Sequence, residues 1–138
     1  MIQRRQTIWL LLATVAALMC FLYPFATGKG IKNALETDRM VRADSNFLLL
    51  ICTGASMLFS AAIIFLYKDR KLQMKLCVAG LFLAAIILLL YVMEMNKLTK
   101  SVLALSSVLP IIILAGYFLA FRDIRKDEKL VRSLDKLR

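Results

Sequence analysis

Groups able to do chemistry are few in this sequence, and most are poorly placed for it. There is no histidine, and Cys20, Cys52 and Cys77 all sit inside long apolar runs without C-x-x-C spacing. A structural or catalytic zinc needs imidazole nitrogens or clustered thiolates, so a His-containing site is excluded and a metal centre is not expected. The thiols are expected to behave as small apolar residues. Ser56 and Ser60 are nucleophiles by type only, because no His or Lys neighbours them in the chain to accept a proton. No carboxylate pair and no glycine-rich phosphate loop is visible. The expectation is therefore a protein with no catalytic set and no cofactor.

One set of residues does show a pattern. After Phe121 the chain reads RDIRKDEKLVRSLDKLR, with neither Gly nor Pro, and these residues tolerate helix. On a 3.6-residue repeat, Arg125, Lys129, Arg132 and Lys136 fall at i, i+4, i+7 and i+11 and form a basic stripe. Leu130, Val131, Leu134 and Leu137 form a separate apolar stripe with Ile124 at its edge, and Asp127 falls within the apolar arc. Glu128 stands four residues before Arg132, the favourable order for a helical ion pair. Two uses compete for such a helix: contact with anionic lipid headgroups, or docking on a partner. A headgroup helix keeps its cations flanking the apolar face, whereas here they point largely away from it. Arg125, Lys129, Arg132, Lys136, Asp127, Leu130, Leu134 and Leu137 are therefore the candidate partner-binding residues.

The segments that must position this tail are apolar. The chain has 138 residues, of which 61% are hydrophobic, and a formal net charge of +10. Four runs, 7–26, 47–67, 76–93 and 102–121, contain no Asp, Glu, Lys or Arg. Each suffices to cross a hydrocarbon core of about 30 Å as a helix rising about 1.5 Å per residue. Lipid leaves no other partner for backbone polar groups, and the continuous apolar character excludes an alternating β-barrel strand. The expected fold class is all-α: an integral membrane four-helix bundle over 1–121, with a charged cytoplasmic helical tail over 122–138. Arg4 and Arg5 precede the first run, but it is long enough to span and lacks a clear A-x-A site, so it is expected to stay attached.

Charge sets the expected orientation. Both chain ends and the 68–75 connection together hold thirteen Lys and Arg, against six in the 27–46 and 94–101 connections. The positive-inside rule then places both termini in the cytoplasm. Trp9, Tyr67 and Tyr117 would mark the inner interface, and Tyr23 and Tyr91 the outer one. Ala13 and Ala17, Gly54 with Ser56 and Ser60, Gly80 and Ala84, and Gly116 and Ala120 are expected at helix contacts. Pro110 would kink the fourth span, with Ser106 and Ser107 helping to satisfy freed groups. Ile31, Leu35 and Met40 or Val41 suggest a short interfacial helix in the 27–46 loop.

The two ends also carry a resemblance. Met1-Ile2-Gln3-Arg4 with Gln6-Thr7, and Ile124-Arg125-Lys126-Asp127-Glu128-Lys129-Leu130-Val131-Arg132-Ser133 with Asp135 and Leu137-Arg138, resemble the terminal motifs of the bacterial membrane family called domain of unknown function 4293. The four-span layout matches as well, so the resemblance covers the whole chain. Arg5 departs from it, standing where the family more often has an apolar residue. The resemblance implies a gram-negative inner-membrane protein with periplasmic outer loops, and brings no activity, cofactor or catalytic residue.

These readings together lead to a non-enzymatic accessory subunit of a larger inner-membrane assembly, of the kind that serves protein export or envelope biogenesis. Expected partners are anionic lipid headgroups, other membrane proteins, and an acidic or ribosomal partner in the cytoplasm, with no DNA. The alternative is a small-solute or lipid transporter. Transporters commonly keep ionisable groups among their spans, and the apolar runs here hold none.

Overall fold

The computed structural model describes residues 3–32, 35–66 and 68–137. The expectations placed on Tyr67 and Arg138, and on the side chain of Arg4, lie outside the described residues. Four helices dominate: α1 (Gln3–Leu22), α2 (Phe47–Phe65), α3 (Arg70–Asn96) and α4 (Val108–Lys136). All four contain a stretch long and apolar enough to cross a membrane, so the chain is a multi-pass membrane protein.

Each helix packs on the next, and α4 packs back on α1. Neighbours run antiparallel. Asn46, at the start of α2, bonds Glu94 near the end of α3, and Gly116 of α4 faces Ala13 and the Trp9 carbonyl of α1. The buried positions read Ala13, Ala17, Thr53, Ser56, Ser60, Gly80, Ala84, Gly116 and Ala120, with Leu10, Leu49, Ile63, Ile87 and Ile113 between them. Large apolar side chains such as Ile8, Leu11, Leu58, Phe82, Leu89 and Phe118 point outward. This reverses the soluble pattern. Lipid gives no hydrophobic drive between helices, so small residues at the contacts let backbones approach and gain dispersion energy. Gly54 is an exception to the expected contacts: a Cβ there would meet nothing within 4 Å.

The buried hydroxyls are satisfied locally. Thr53 donates to the Leu49 carbonyl at 2.7 Å, Ser56 to Thr53 at 2.8 Å and Thr14 to Leu10 at 2.8 Å, while Thr14 and Ser60 share a 2.7 Å bond between α1 and α2. Tyr117 and Tyr91 correct the expectation of interfacial rings. The Tyr117 ring is fully buried against Gly80, and its hydroxyl donates to the Ser56 carbonyl at 2.7 Å. Tyr91 is buried and stacks on Phe25 with ring centroids 4.6 Å apart. A tyrosine can leave the interface where a partner meets its hydroxyl, as the Ser56 carbonyl does for Tyr117. Tyr23 stays exposed and Trp9 half-buried.

The all-α expectation fails at one end of the helices. β1 (Ala26–Lys32), β2 (Leu35–Val41) and β3 (Thr99–Leu103) form a sheet in the order β2-β1-β3, with both pairings antiparallel. The expected interfacial helix is thus a hairpin, running from Ala26↔Val41 to Lys32↔Leu35. Gly28 and Gly30 explain the choice. Both are poor helix formers, and both lie on the face that meets Leu98, where a Cβ at Gly28 would come within 3.1 Å of the Leu98 Cβ. The pairing with β3 comes from residues some 70 positions away, which no local periodicity can register. Lys100, in β3, takes a positive φ of 57° beside the irregular pairing between Thr27 and Lys29. An open sheet cannot sit in hydrocarbon with its edge groups unpaired, so the sheet marks an end of the molecule outside the lipid core.

β3 also shortens the fourth span. Its helix begins at Val108 after a short 3-10 turn, Leu105–Ser107, and not at 102. Pro110 then falls in the first turn of α4, where its missing N–H costs nothing, so the expected mid-span kink is replaced by a helix start. Ser106 donates to the Pro24 carbonyl instead of to groups freed by the proline. The first span ends at Leu22 and not at 26, whereas α3 outruns its apolar core at both ends.

Three substitutions test this packing. A Cβ on Gly80 would lie 2.4 Å from Tyr117 Cε1, and the ring cannot retreat while its hydroxyl is held. Gly80→Ala should therefore cost about 1–3 kcal/mol in a detergent unfolding titration. Tyr117→Phe should cost less, roughly 0.6–1.7 kcal/mol. Asn46 caps α2 by accepting from the Leu48 N–H at 3.2 Å while donating to Glu94 at 2.7 Å. Asn46→Ala should lose on the order of 1 kcal/mol in the same titration, and a neutral result would remove the cap from this account.

Candidate interaction surface at the tail end

The end of the molecule opposite the sheet carries the tail. α4 runs unbroken from its apolar part into the charged sequence, so the tail is collinear with the preceding span. Its last buried residues are Ile124 and Asp127. α1 and α3 run out at this level, since Arg5 shares a cleft with Arg122 and Lys126, and Arg70 shares one with Glu128. Beyond it, every described residue from Lys129 to Leu137 is exposed. Val131 and Arg132 still share clefts with the start of α3, so the helical overhang proper, 133–136, extends about 6 Å past its neighbours.

The apolar stripe lies at this end, with Val131 lining a cleft beside Asp69, Arg70 and Leu72 and its leucines exposed. Leu130 is 50% exposed, Leu134 65% and Leu137 86%, and Val131 is exposed as well. Val131 and Leu134 follow Ile124 and Asp127 by one heptad, so they prolong the face that α4 buries lower down. Arg125, Lys129, Arg132 and Lys136 are all exposed on the other side of the helix. Arg132 bonds Glu128 at 2.8 Å, a solvated i,i+4 pair worth a few tenths of a kcal/mol. It also leans toward α3, joining Lys71 and Lys75 in one groove. Arg125, Lys129 and Lys136 do not line that groove.

Asp127 is the correction among the candidate residues. It is only 8% exposed and belongs to the helix packing, not to the free stripe. Its Oδ1 has no hydrogen-bond partner among the described residues. One turn of α3 nearby holds the buried Gln73, whose Nε2 donates to the Ile63 carbonyl at 3.2 Å and ties the end of α2 to α3.

A second buried carboxylate sits at the sheet end. Glu94 is 6% exposed, and its Oε1 accepts from Asn46 Nδ2 at 2.7 Å and from Lys97 Nζ at 2.6 Å. By its charge Glu94 falls in the 94–101 connection, whereas α3 continues through it to Asn96. The available signal was that α3 residues remain apolar up to Met93 and that Asn46 precedes an apolar run, the position of a helix cap. The helices thus bury two acids, one near each end. Apart from the amide of Gln73, the buried side chains between them are mostly apolar, hydroxylic or thiol groups, Cys20 and Cys77 included.

No group of three or more His, Cys, Asp or Glu able to hold a metal occurs among the described residues. The chemistry offered at the tail end is that of binding: a free apolar helix face, an outward row of cations, and basic clefts where α4 meets α1 and α3. No curated protein and no solved structure matches the chain. A family match covers residues 2–137, which take in all four helices and the terminal motifs except Met1 and Arg138, and the chain belongs to the family described as Domain of unknown function (DUF4293).

Proposed function

We propose that the protein is a non-enzymatic accessory subunit of a larger inner-membrane assembly, with both ends in the cytoplasm, docking through the overhanging end of α4. The observation that carries this reading is the continuity of α4. A helix that continues a span does not also lie flat in the headgroup plane, so the exposed Leu130, Leu134 and Leu137 would stand clear of the lipid. An exposed apolar helix face outside the membrane is a common form of protein recognition, read through anchors at i, i+4 and i+7. Leu130, Leu134 and Leu137 have that spacing. The outward cations, Arg125, Lys129 and Lys136, suit an acidic or ribosomal surface and would speed encounter with it. Export or envelope-biogenesis machinery fits this combination of a membrane-embedded body and a basic helix beyond it.

The experiment is purification of the full chain from native membranes in mild detergent, with cross-linkers placed at Leu130 and Leu134. The wild type should bring down a defined partner. The Leu130→Gln, Leu134→Gln, Leu137→Gln variant should insert normally and lose that partner. Arg125→Glu, Lys129→Glu, Lys136→Glu should weaken capture chiefly at low salt, where exposed charges act furthest. A monodisperse, partner-free wild-type protein would overturn the reading. A C-terminal reporter reads orientation separately and should remain on the cytoplasmic side.

A further inference from the structure

The groove between α3 and α4 at the tail end has a lining of cations and apolar side chains together. Lys71, Lys75 and Arg132 stand around it together with Glu128, which Arg132 already engages at 2.8 Å. Met74, Val78 and Phe121 line the same groove, which has a volume of about 410 Å³. Lys71, Met74, Lys75 and Val78 follow one another at i, i+3, i+4 and i+7, so they share one face of α3. Along that face cations and apolar groups alternate from Lys71 through Met74 to Lys75, and over about 10 Å the lining then passes to Val78 and, on α4, Phe121, in the direction that leads into the apolar part of the helices. Phe121 is the last residue of the fourth apolar run, so the change falls where hydrocarbon would give way to headgroups. A broader cleft of about 690 Å³ adjoins it, sharing Lys71, Glu128 and Arg132 and adding Lys68, Asp69, Arg70, Leu72 and Val131.

We infer that this groove is a binding site for one anionic phospholipid, with the phosphate among Lys71, Lys75 and Arg132 and an acyl chain along Met74, Val78 and Phe121. Charge complementarity sets the headgroup. Three cations meet one carboxylate, which leaves a net positive site that a zwitterionic headgroup satisfies less well. The apolar floor sets the rest. A nucleotide or free phosphate ester would leave Met74 and Val78 without a counterpart, whereas an acyl chain continues in the line that the groove points. Basic pockets between spans at an interface are a recurrent means of holding acidic lipids. The site is separate from the docking stripe, because Leu130, Leu134 and Leu137 do not line it.

Native mass spectrometry of the full chain in detergent micelles tests this, with equal amounts of phosphatidylglycerol and phosphatidylcholine. The wild type should retain phosphatidylglycerol over phosphatidylcholine. Lys71→Gln with Lys75→Gln should hold one fewer phosphatidylglycerol per chain, with its affinity lowered at least about tenfold. Lys129→Gln with Lys136→Gln removes the same charge from the outward row and should retain the lipid as the wild type does. Phe121→Ala with Val78→Ala should weaken retention with all cations in place. Glycerol 3-phosphate, a headgroup without chains, should fail to displace the lipid at matched concentration. Trp9 fluorescence on heating confirms that each variant is folded. Equal retention of the two lipids, an unchanged Lys71→Gln, Lys75→Gln variant, or full displacement by glycerol 3-phosphate would overturn the assignment.

Discussion

The ring of Tyr117 lies where a side chain on residue 80 would have to be, and this absence of a Cβ lets α3 and α4 close on each other. The tyrosine hydroxyl then reaches across to the Ser56 carbonyl on α2, so one residue couples three helices. On the opposite side of α4, Gly116 gives the same access to Ala13 and to the Trp9 carbonyl of α1. A helix held by close glycine contacts to two neighbours, one through its own Gly116 and one through Gly80 of α3, has little freedom to rotate. Its rotation decides which face of the tail is buried at Ile124 and Asp127, and which emerges free beyond them. The interaction surface is therefore set from the middle of the membrane-spanning part.

The solvent accounts for the distribution of residue types around that contact. Large aliphatic and aromatic groups are left on the outside, where lipid tails receive them without penalty, and small or hydroxylic groups take the inside. The two buried acids stand near the ends of the helices. Glu94 is clamped by Asn46 and Lys97, tying the start of α2 to the end of α3, and Asp127 lies where α4 leaves its neighbours. The sheet closes the Glu94 end. Phe25, Ala26, Val41 and Leu98 are buried beneath or within it, and β3 joins the α3–α4 connection to the hairpin that links α1 and α2. Two loops remote in sequence thereby become one structure, and all four helices are restrained at that end.

At the other end the helices are of unequal reach, which creates everything there that can bind. Because α1 and α3 stop short, α4 presents an apolar face that its own packing would otherwise have used. Because α3 begins with Arg70, Lys71 and Lys75, the flank of that step is cationic where the apolar floor starts. The proposed partner docking and lipid binding would thus both arise from one mismatch of helix lengths, on different faces of α4. Lipid held between α3 and α4 would brace the base of the overhang against the interface without covering its apolar stripe.

The number of spans and the existence of a helical tail were legible in residues alone, because an apolar run of span length in lipid has only one way to pair its backbone. The small residues at Ala13, Ala17, Gly80, Ala84, Gly116 and Ala120 were legible for a similar reason, since close helix approach needs them wherever they occur. The sheet was not, because β1 finds β3 across the whole of α2 and α3, and the spacing of Ile31, Leu35 and Val41 equally suits a helix until that partner is present. Nor were Pro110 at a helix start, Tyr91 and Tyr117 in the interior, or Asp127 in the packing. Each depends on what lies opposite, and a side chain's neighbours across a contact are absent from its own stretch of chain. Local composition determined that this protein enters a membrane and where its charge gathers. Tertiary structure decided which charges share a groove and which leucines are left uncovered, because both depend on where each helix stops relative to its neighbours.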